Sequence, residues 1–434
     1  MTTTTPAAER ERLLAGRDLS VDLVRVCCVL LVVVLHSLML GLEVRADGAI
    51  GWRNVVQDEP WFAVGSWFGQ LMPLFFVVGG FASWQGWAST QRRGGGGADF
   101  FRARLLRLGT PAAVWFVVVG AIVWLAAALG LPLTAVQLLA KGLGLPLWFL
   151  AAYLLCQAVV PLQVRMHRAH PVATAGALLA GVIAVDAVRG ATGVQTVGLL
   201  NLLLVWPLVQ QIGFLYADGT IARLRRPALL GVAALAFALV GVLGMSGVYS
   251  PDMLDNLNPP TLPLVLIGVG QTALFVLAKP ALDALMRTRP AQAFVGLAGT
   301  RLMTIYLWHL LIVIAVAATV LVAPTVVPAV GTLGWWLARI PGDAIVFGVL
   351  LLVSLGVARF ERGPKRVGPV PGVPALVVAG VLAVVPPFWA MEVGLDLVAF
   401  VWGAAAMVAA VLIARGRPVP AAADRSARVP TMTR

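Results

Sequence analysis

Residues 18–39 read DLSVDLVRVCCVLLVVVLHSLM, an apolar run long enough to cross a bilayer as a helix. The run carries Asp22, Arg25 and His36. Because a charge at membrane depth costs roughly 2.5–3.5 kcal/mol on insertion scales, such residues face protein or a water-filled cavity. At about 100° per residue, one stripe of the helix holds Asp22, Arg25, Val29, Val32 and His36, with Arg25 and His36 about 16 Å apart. The stretch therefore predicts a membrane helix with one polar, chemically active edge.

The composition indicates a protein with many membrane spans. Hydrophobic residues make up 60% of the 434, and mean hydropathy is +0.92. Charged residues are only 12%, whereas soluble domains carry about 25%. The chain is therefore predicted to be an all-α, polytopic transmembrane bundle of about twelve spans. These spans are predicted near residues 20–42, 64–88, 108–130, 145–164, 171–189, 199–217, 228–248, 262–282, 302–324, 342–360, 372–391 and 396–414.

The positions of the basic residues predict the orientation in the membrane. With the N-terminus inside, 26 of the 32 Lys and Arg residues lie in inner loops and tails, and five lie in outer loops. This bias follows the positive-inside rule and predicts cytoplasmic N- and C-termini in a multi-pass protein of the cell membrane. The net charge of +13 therefore reflects topology rather than nucleic-acid binding. Residues 1–19 and 415–434 are predicted to be disordered cytoplasmic tails.

The polar residues of the first span suggest acid–base chemistry. Imidazole exchanges protons near neutral pH, so His36 is a candidate general base. Arg25 has two interpretations that the sequence leaves open. It forms a structural ion pair with Asp22, one turn earlier, or it binds an anion or carbonyl while Asp22 orients it.

A basic segment precedes the third span. Residues 100–111 read FFRARLLRLGTP and carry Arg102, Arg104 and Arg107, the last two on one helical face. Arginine binds phosphate in a bidentate manner, so the three are candidate ligands for a phosphorylated cofactor. Ordinary positive-inside charge is the alternative explanation.

Small and aromatic residues in the second span suggest close packing. The segment PLFFVVGGFASW at 73–84 holds Gly79, Gly80 and Phe81. Glycines at such positions let a ligand or another helix approach closely, and the sequence does not distinguish the two.

Two later segments add further candidates. The fourth span opens with PLWFLAAYLL, which contains Trp148 and Tyr153. In the ninth span, TIYLWHLLIV places Tyr306 and His309 on one face, in either a catalytic or a structural role. The predicted outer loops are rich in tryptophan, which serves either as an interface anchor or as a platform for sugars. These residues are Trp52, Trp61, Trp335 and Trp336.

Taken in order, these segments resemble the acyltransferase 3 family of integral membrane acyltransferases. Arg25 and His36, with ten residues between them, match that family's first-span motif. FFVVGGF, RLLR, WFLAAYL and IYLWHLLI are similar to its later motifs, except that the family's serine is Gly79 here. The resemblance covers about residues 17–360. It implies a ten-helix domain over 20–360, followed by two additional helices over 361–414.

The resemblance implies transfer of an acyl group, commonly acetyl, from cytoplasmic acyl-CoA to a hydroxyl or amine of a glycan, lipid or sugar-bearing metabolite. In this mechanism Arg102, Arg104 and Arg107 hold the phosphates, and the pantetheine arm passes Gly79 and Gly80. His36 is the general base, and no metal is expected. The oxyanion donor is expected among Tyr306, Trp148 and Arg25.

A transporter or flippase is the second hypothesis, because twelve spans with a few buried polar groups also fit a secondary carrier. The two halves of the chain lack obvious similarity, and mid-membrane acidic pairs are not evident, which favours the transferase. A non-catalytic membrane scaffold is the third.

Overall fold

The computed structural model describes residues 18–44, 50–323, 327–361 and 367–416. Most of both predicted tails lies outside these residues. The helices are α1 Leu19–Met39, α2 Phe62–Gly69, α3 Met72–Arg92, α4 Gly97–Ala128, α5 Leu133–Gly144, α6 Trp148–Ala169, α7 Pro171–Thr192, α8 Val205–Ala217, α9 Arg226–Met245, α10 Leu262–Met286, α11 Arg289–Gly299, α12 Leu302–Ala317, α13 Thr319–Val322, α14 Leu333–Glu361, α15 Val373–Glu392 and α16 Leu397–Arg415. Short 3₁₀ segments lie at Leu145–Leu147, Gln195–Leu203 and Ile221–Arg223.

The predicted transmembrane bundle is confirmed. Among the described residues, twelve helical segments are long and apolar enough to cross a membrane. They match the twelve predicted spans in order, although several begin earlier than expected. The third, for example, starts at Gly97 rather than near residue 108. The helix begins at the last glycine of the run 94–97 and includes the basic segment as its first turns.

The chain after α1 differs from the prediction. The helix ends at Met39, and the next residues form an antiparallel hairpin of β1 (Leu40–Val44) and β2 (Ile50–Asn54), with Leu40 opposite Asn54. Apolar residues favour a strand as well as a helix, so hydropathy alone extends the span to residue 42. Likewise Trp335 and Trp336, predicted in an outer loop, lie at the start of α14, and Trp335 is buried.

The start of α1 is fixed by a polar cluster around Asp18. Its carboxylate caps the helix by accepting from the Val21 amide at 3.4 Å. Lys279 of α10 donates to both carboxylate oxygens, at 2.9 and 3.0 Å, and the Tyr216 hydroxyl of α8 donates at 2.5 Å. Burial raises the pKa of Asp18, but hydrogen bonds from Ser20, Tyr216 and Lys279 outweigh it and lower the pKa overall. The cluster therefore ties α1 to two other spans.

Small residues let α3 and α8 cross closely. A β-carbon at Gly80 would fall on the backbone carbonyl of Gln210, and one at Gly213 would fall on the carbonyl of Val77. Close approach at small residues is a common way for membrane helices to associate. α1 packs beside α3, and also contacts α10, α11 and α12, so its polar edge faces the interior of the bundle.

Candidate functional site

A cavity of about 440 Å³ lies within the bundle beside α1. Arg25, Val29, Val32 and His36 all line it, so four of the five residues in the predicted stripe face one space. Helices α2, α3, α4, α6, α12 and α14 supply the other walls. We call the end with Arg25, Arg104 and Arg107 the inner end, and the end with Trp61 and Trp336 the outer end.

With the four outer-loop tryptophans counted separately, the cavity brings together eight of the thirteen residues predicted from the sequence as catalytic, cofactor-binding or further site candidates. These are Arg25, His36, Arg104, Arg107, Trp148, Tyr153, Tyr306 and His309. They come from α1, α4, α6 and α12, which are far apart in the chain. The bundle thus assembles one site from segments that the sequence presents separately.

Three guanidinium groups converge at the inner end. Arg104 donates a long hydrogen bond of 3.4 Å to the Ala82 carbonyl, and its guanidinium lies 5.0 Å from the centre of the Phe100 ring. Asp22 lies 3.9 Å from Arg25, at the limit of an ion pair. In the described part of the chain, no carboxylate forms a salt bridge with Arg104 or Arg107. Like charges repel one another more strongly at low dielectric, so an anionic ligand would stabilise this arrangement.

Two imidazoles meet in the middle of the cavity. Nε2 of His309 lies 3.0 Å from Nδ1 of His36, and the ring centres are 5.0 Å apart. His309 is fully buried, whereas His36 is partly accessible from the cavity. The other ring nitrogen of His309, Nδ1, lies 2.7 Å from the carbonyl oxygen of Tyr306.

These contacts determine the protonation pattern of the neutral pair. A carbonyl oxygen only accepts, so Nδ1 of His309 must carry its proton and Nε2 must carry a lone pair. Nδ1 of His36 must then donate to that lone pair. Nε2 of His36 is left unprotonated, which is the form a general base requires.

The aromatic candidates have mainly packing contacts. The Tyr306 hydroxyl donates to the Pro146 carbonyl at 2.7 Å, so its proton is already engaged, which weighs against the predicted oxyanion role. Trp148 stacks on Trp206 with ring centres 5.4 Å apart. Tyr153 stacks on Phe149 at 5.5 Å. These rings shape the cavity wall.

Arg102 lies away from the cavity, which differs from the predicted phosphate contact. Its Nε donates to the Ala414 carbonyl at 2.8 Å, and its Nη2 donates to the carbonyls of Gly368 and Arg415 at 2.7 and 2.8 Å. The side chain is only 9% exposed. Arg102 therefore caps the C-terminal end of α16 and holds the last two helices against α4.

The three predicted cofactor-binding residues of α3 contact other helices of the bundle. Gly80 meets α8, and Phe81 packs edge-on against Tyr216, with ring centres 5.4 Å apart. Gly79 faces the ring of Tyr153. None of the three lines the cavity, and neither does Asp22. The sequence left open whether the glycine pair admits a ligand or another helix, and at Gly80 it admits another helix, α8.

The outer end contains residues that the sequence analysis missed. Gly65, Ser66 and Gly69 of α2, with Gln70 just after it, line the cavity. The sequence pattern that could have indicated this wall is the pair of glycines four residues apart, because that spacing places both on one helical face. In the residues described, no group of three or more His, Cys, Asp or Glu side chains is arranged to hold a metal ion.

Comparison with known proteins gives one match. A family model described as an acyltransferase domain, that of the acyltransferase 3 family, matches residues 18–359. The matched region ends within α14 and leaves α15 and α16 outside. Neither a curated protein nor a solved structure matches the chain.

Proposed function

We propose that this chain, which belongs to the acyltransferase 3 family, transfers an acyl group from a coenzyme A thioester to a hydroxyl or amine. The thioester binds at the inner end of the cavity and the acceptor at the outer end. The observation that carries the proposal is the shared cavity, which joins three arginines to the His36–His309 pair. An acyl-CoA has the same polarity, with phosphates at one end and a thioester on a narrow arm.

The inner end supports the choice of donor. Arg104 and Arg107 are one turn apart on α4, and Arg25 of α1 lines the same end. Guanidinium groups bind phosphate through paired hydrogen bonds, and here several are directed to one space. The basic inner loops fit a cytoplasmic position for this end, where acyl-CoA is made. Acetyl is the proposed acyl group, because the family commonly transfers it.

The histidine pair supports the reaction. Nε2 of His36 removes the proton from the acceptor hydroxyl while the hydroxyl oxygen attacks the thioester carbonyl. A carbon–oxygen bond forms and the carbon–sulfur bond breaks. The coenzyme A thiolate leaves and takes up the proton, which returns His36 to its starting form. His309 holds the His36 ring and stabilises the positive charge that forms on it.

Arg25 lies at the inner end, about 16 Å along α1 from His36, so we assign it to the donor's phosphates or pantetheine arm rather than to the oxyanion beside His36. Its Nε is buried and has no hydrogen-bond partner among the described residues. A ligand carbonyl or phosphate would satisfy that group. Asp22, within 3.9 Å, keeps Arg25 in position through a weak ion pair.

A radiolabel experiment tests the proposal. Purified protein in nanodiscs receives acetyl-CoA labelled in the acetyl group, together with an extract of cells that naturally make the protein. We expect release of free coenzyme A and label in an acceptor, both lost in His36→Ala. Labelled transfer that is equal in His36→Ala and wild type would contradict the proposed base.

The same preparation distinguishes transport. In liposomes, a carrier takes up solutes without releasing coenzyme A, whereas a transferase releases coenzyme A in proportion to the labelled product. Solute uptake without coenzyme A release would favour the transporter hypothesis.

A further inference from the structure

We propose that the acceptor is a lipid-like alcohol, a hydroxyl on an apolar scaffold that partitions into the membrane, and that it binds in the outer part of the cavity. This outer vestibule is lined by Leu38, Val56, Phe62, Gly69, Leu254 and Leu257. The inference rests on the proposed function and names the chemical class of its acceptor.

Charge is segregated along the cavity. All three arginines that line it lie at the inner end, and the described part of the chain contributes no acidic or lysine side chain to its wall. The outer vestibule has aliphatic and aromatic walls. It therefore lacks the charged groups that would recognise an anionic or cationic glycan.

The outer vestibule offers few polar groups that could bind a hydroxyl. Ser66 Oγ donates to the Ala63 carbonyl at 2.6 Å and accepts from the Met253 amide at 3.0 Å. Gln70 Oε1 accepts from the Met72 amide at 3.4 Å, and the amide NH2 of Gln70 is a donor that the described contacts do not use. At this end the described residues add the indole N–H groups of Trp61 and Trp336 as donors. A sugar brings several hydroxyls, each of which needs a partner when it leaves water. The described lining supplies only these few donors for the hydroxyls of a sugar, whereas a single reacting hydroxyl needs only His36.

The space itself results from missing side chains on α2. Gly65 and Gly69 are four residues apart and line the cavity on the same face as Ser66. A β-carbon added at Gly69 would meet nothing within 4 Å. The glycine therefore leaves room that no other part of the described chain fills, as expected for a wall that a ligand covers.

The opposite side of α2 suggests how the acceptor arrives. Phe68 is 58% exposed and Val64 is 53% exposed, and neither of them lines the cavity. Large apolar side chains at this level of a membrane bundle contact lipid. This short helix therefore separates lipid from the vestibule. That position favours a ligand already dissolved in the bilayer, because its apolar surface passes from lipid to an apolar wall without contact with water.

Partitioning of the labelled product tests the acceptor class. After the nanodisc reaction with labelled acetyl-CoA and the native cell extract, the mixture is divided into organic-soluble, water-soluble and polymeric fractions. We expect label above the His36→Ala background in the organic-soluble fraction. Label confined to the aqueous or polymeric fraction would overturn the lipid-like acceptor and leave the acyltransferase intact. An absence of enzyme-dependent label and of coenzyme A release would overturn both.

A matched pair of variants tests the location. Gly69→Leu fills the open space and should reduce label in the organic fraction by at least roughly tenfold. Its KM for acetyl-CoA in coenzyme A release should not change. Gly176→Leu is the control, because Gly176 lies on α7, away from the cavity, and also has nothing within 4 Å of an added β-carbon. Equal transfer by Gly69→Leu and Gly176→Leu would remove the acceptor from the vestibule.

Discussion

His309 and His36 lie 273 residues apart in the chain, yet Nε2 of His309 is 3.0 Å from Nδ1 of His36. His36 Nδ1 donates to His309 Nε2, and His309 Nδ1 donates to the Tyr306 carbonyl at 2.7 Å, so both hydrogen bonds run in the same direction, away from His36. In this order both ring nitrogens of His309 are engaged, one by His36 and one by the Tyr306 carbonyl. We propose that His309 is a positioning residue that sets which nitrogen of His36 is free.

Replacing His36 tests the base. We expect His36→Ala to lower kcat by about 100- to 10,000-fold, the usual contribution of a general base, with little change in the KM for acyl-CoA. Steady-state release of coenzyme A measures both constants. A loss confined to KM would instead place His36 in donor binding.

Replacing His309 tests the positioning role. His309→Ala should lower kcat by up to about 100-fold, because a misplaced base loses alignment with the acceptor. His309→Gln keeps an acceptor for the His36 Nδ1 proton and should restore part of the rate. The pH–rate profile should also change in His309→Ala. If Gln and Ala variants have equal rates and the profile of wild type, His309 is only a packing residue.

The inner arginines should govern the affinity for the donor. Arg104→Ala together with Arg107→Ala should raise the KM for acyl-CoA more than it changes transfer at saturation, because the phosphates lose paired donors. Arg92→Ala, an exposed inner arginine that does not line the cavity, is the control. A KM that rises equally in the control would indicate a general effect of surface charge.

Gly86 offers a second route to the same arginine. A β-carbon there would fall on Nη2 of Arg104, at the flexible end of that side chain. Gly86→Ala should therefore move the guanidinium and raise the KM for acyl-CoA without lowering Tm. Gly231→Ala on α9, where an added β-carbon meets nothing within 4 Å, is the matched control.

Arg102 should behave in the opposite way from Arg104. Its three hydrogen bonds to backbone carbonyls hold the last two helices, α15 and α16, against α4. Hydrogen bonds to charged groups contribute about 1.5–3 kcal/mol each. Arg102→Met should lower Tm and leave the KM for acyl-CoA unchanged. A raised KM with an unchanged Tm would return Arg102 to the phosphate site.

Acid should weaken the cluster at the start of α1. Since the folded-state pKa of Asp18 is lowered, its stabilisation is present above the unfolded pKa of about 3.9 and is lost as pH falls through the folded value. Asp18→Asn should therefore lower Tm at pH 7, and the difference from wild type should shrink below pH 4. A difference that is constant with pH would exclude the carboxylate charge as its source.

The sequence by itself determined the twelve spans and the polar edge of α1. Insertion into a bilayer depends on the local composition of each segment, so hydropathy reports it directly. The 3.6-residue period likewise places Arg25 and His36 on one face without knowledge of any neighbour. The hairpin at Leu40–Asn54 was missed because short apolar runs suit either kind of secondary structure.

Only the tertiary structure decided which helix covers each face. Arg102 and Arg104 are two residues apart and equally basic, yet one caps α16 and the other lines the cavity. His309 becomes the partner of His36 because α12 packs against α1. Gly69 lines the cavity because no described atom lies within 4 Å of the place where its side chain would begin. Such roles depend on contacts between distant segments, and a local pattern carries no information about what lies opposite.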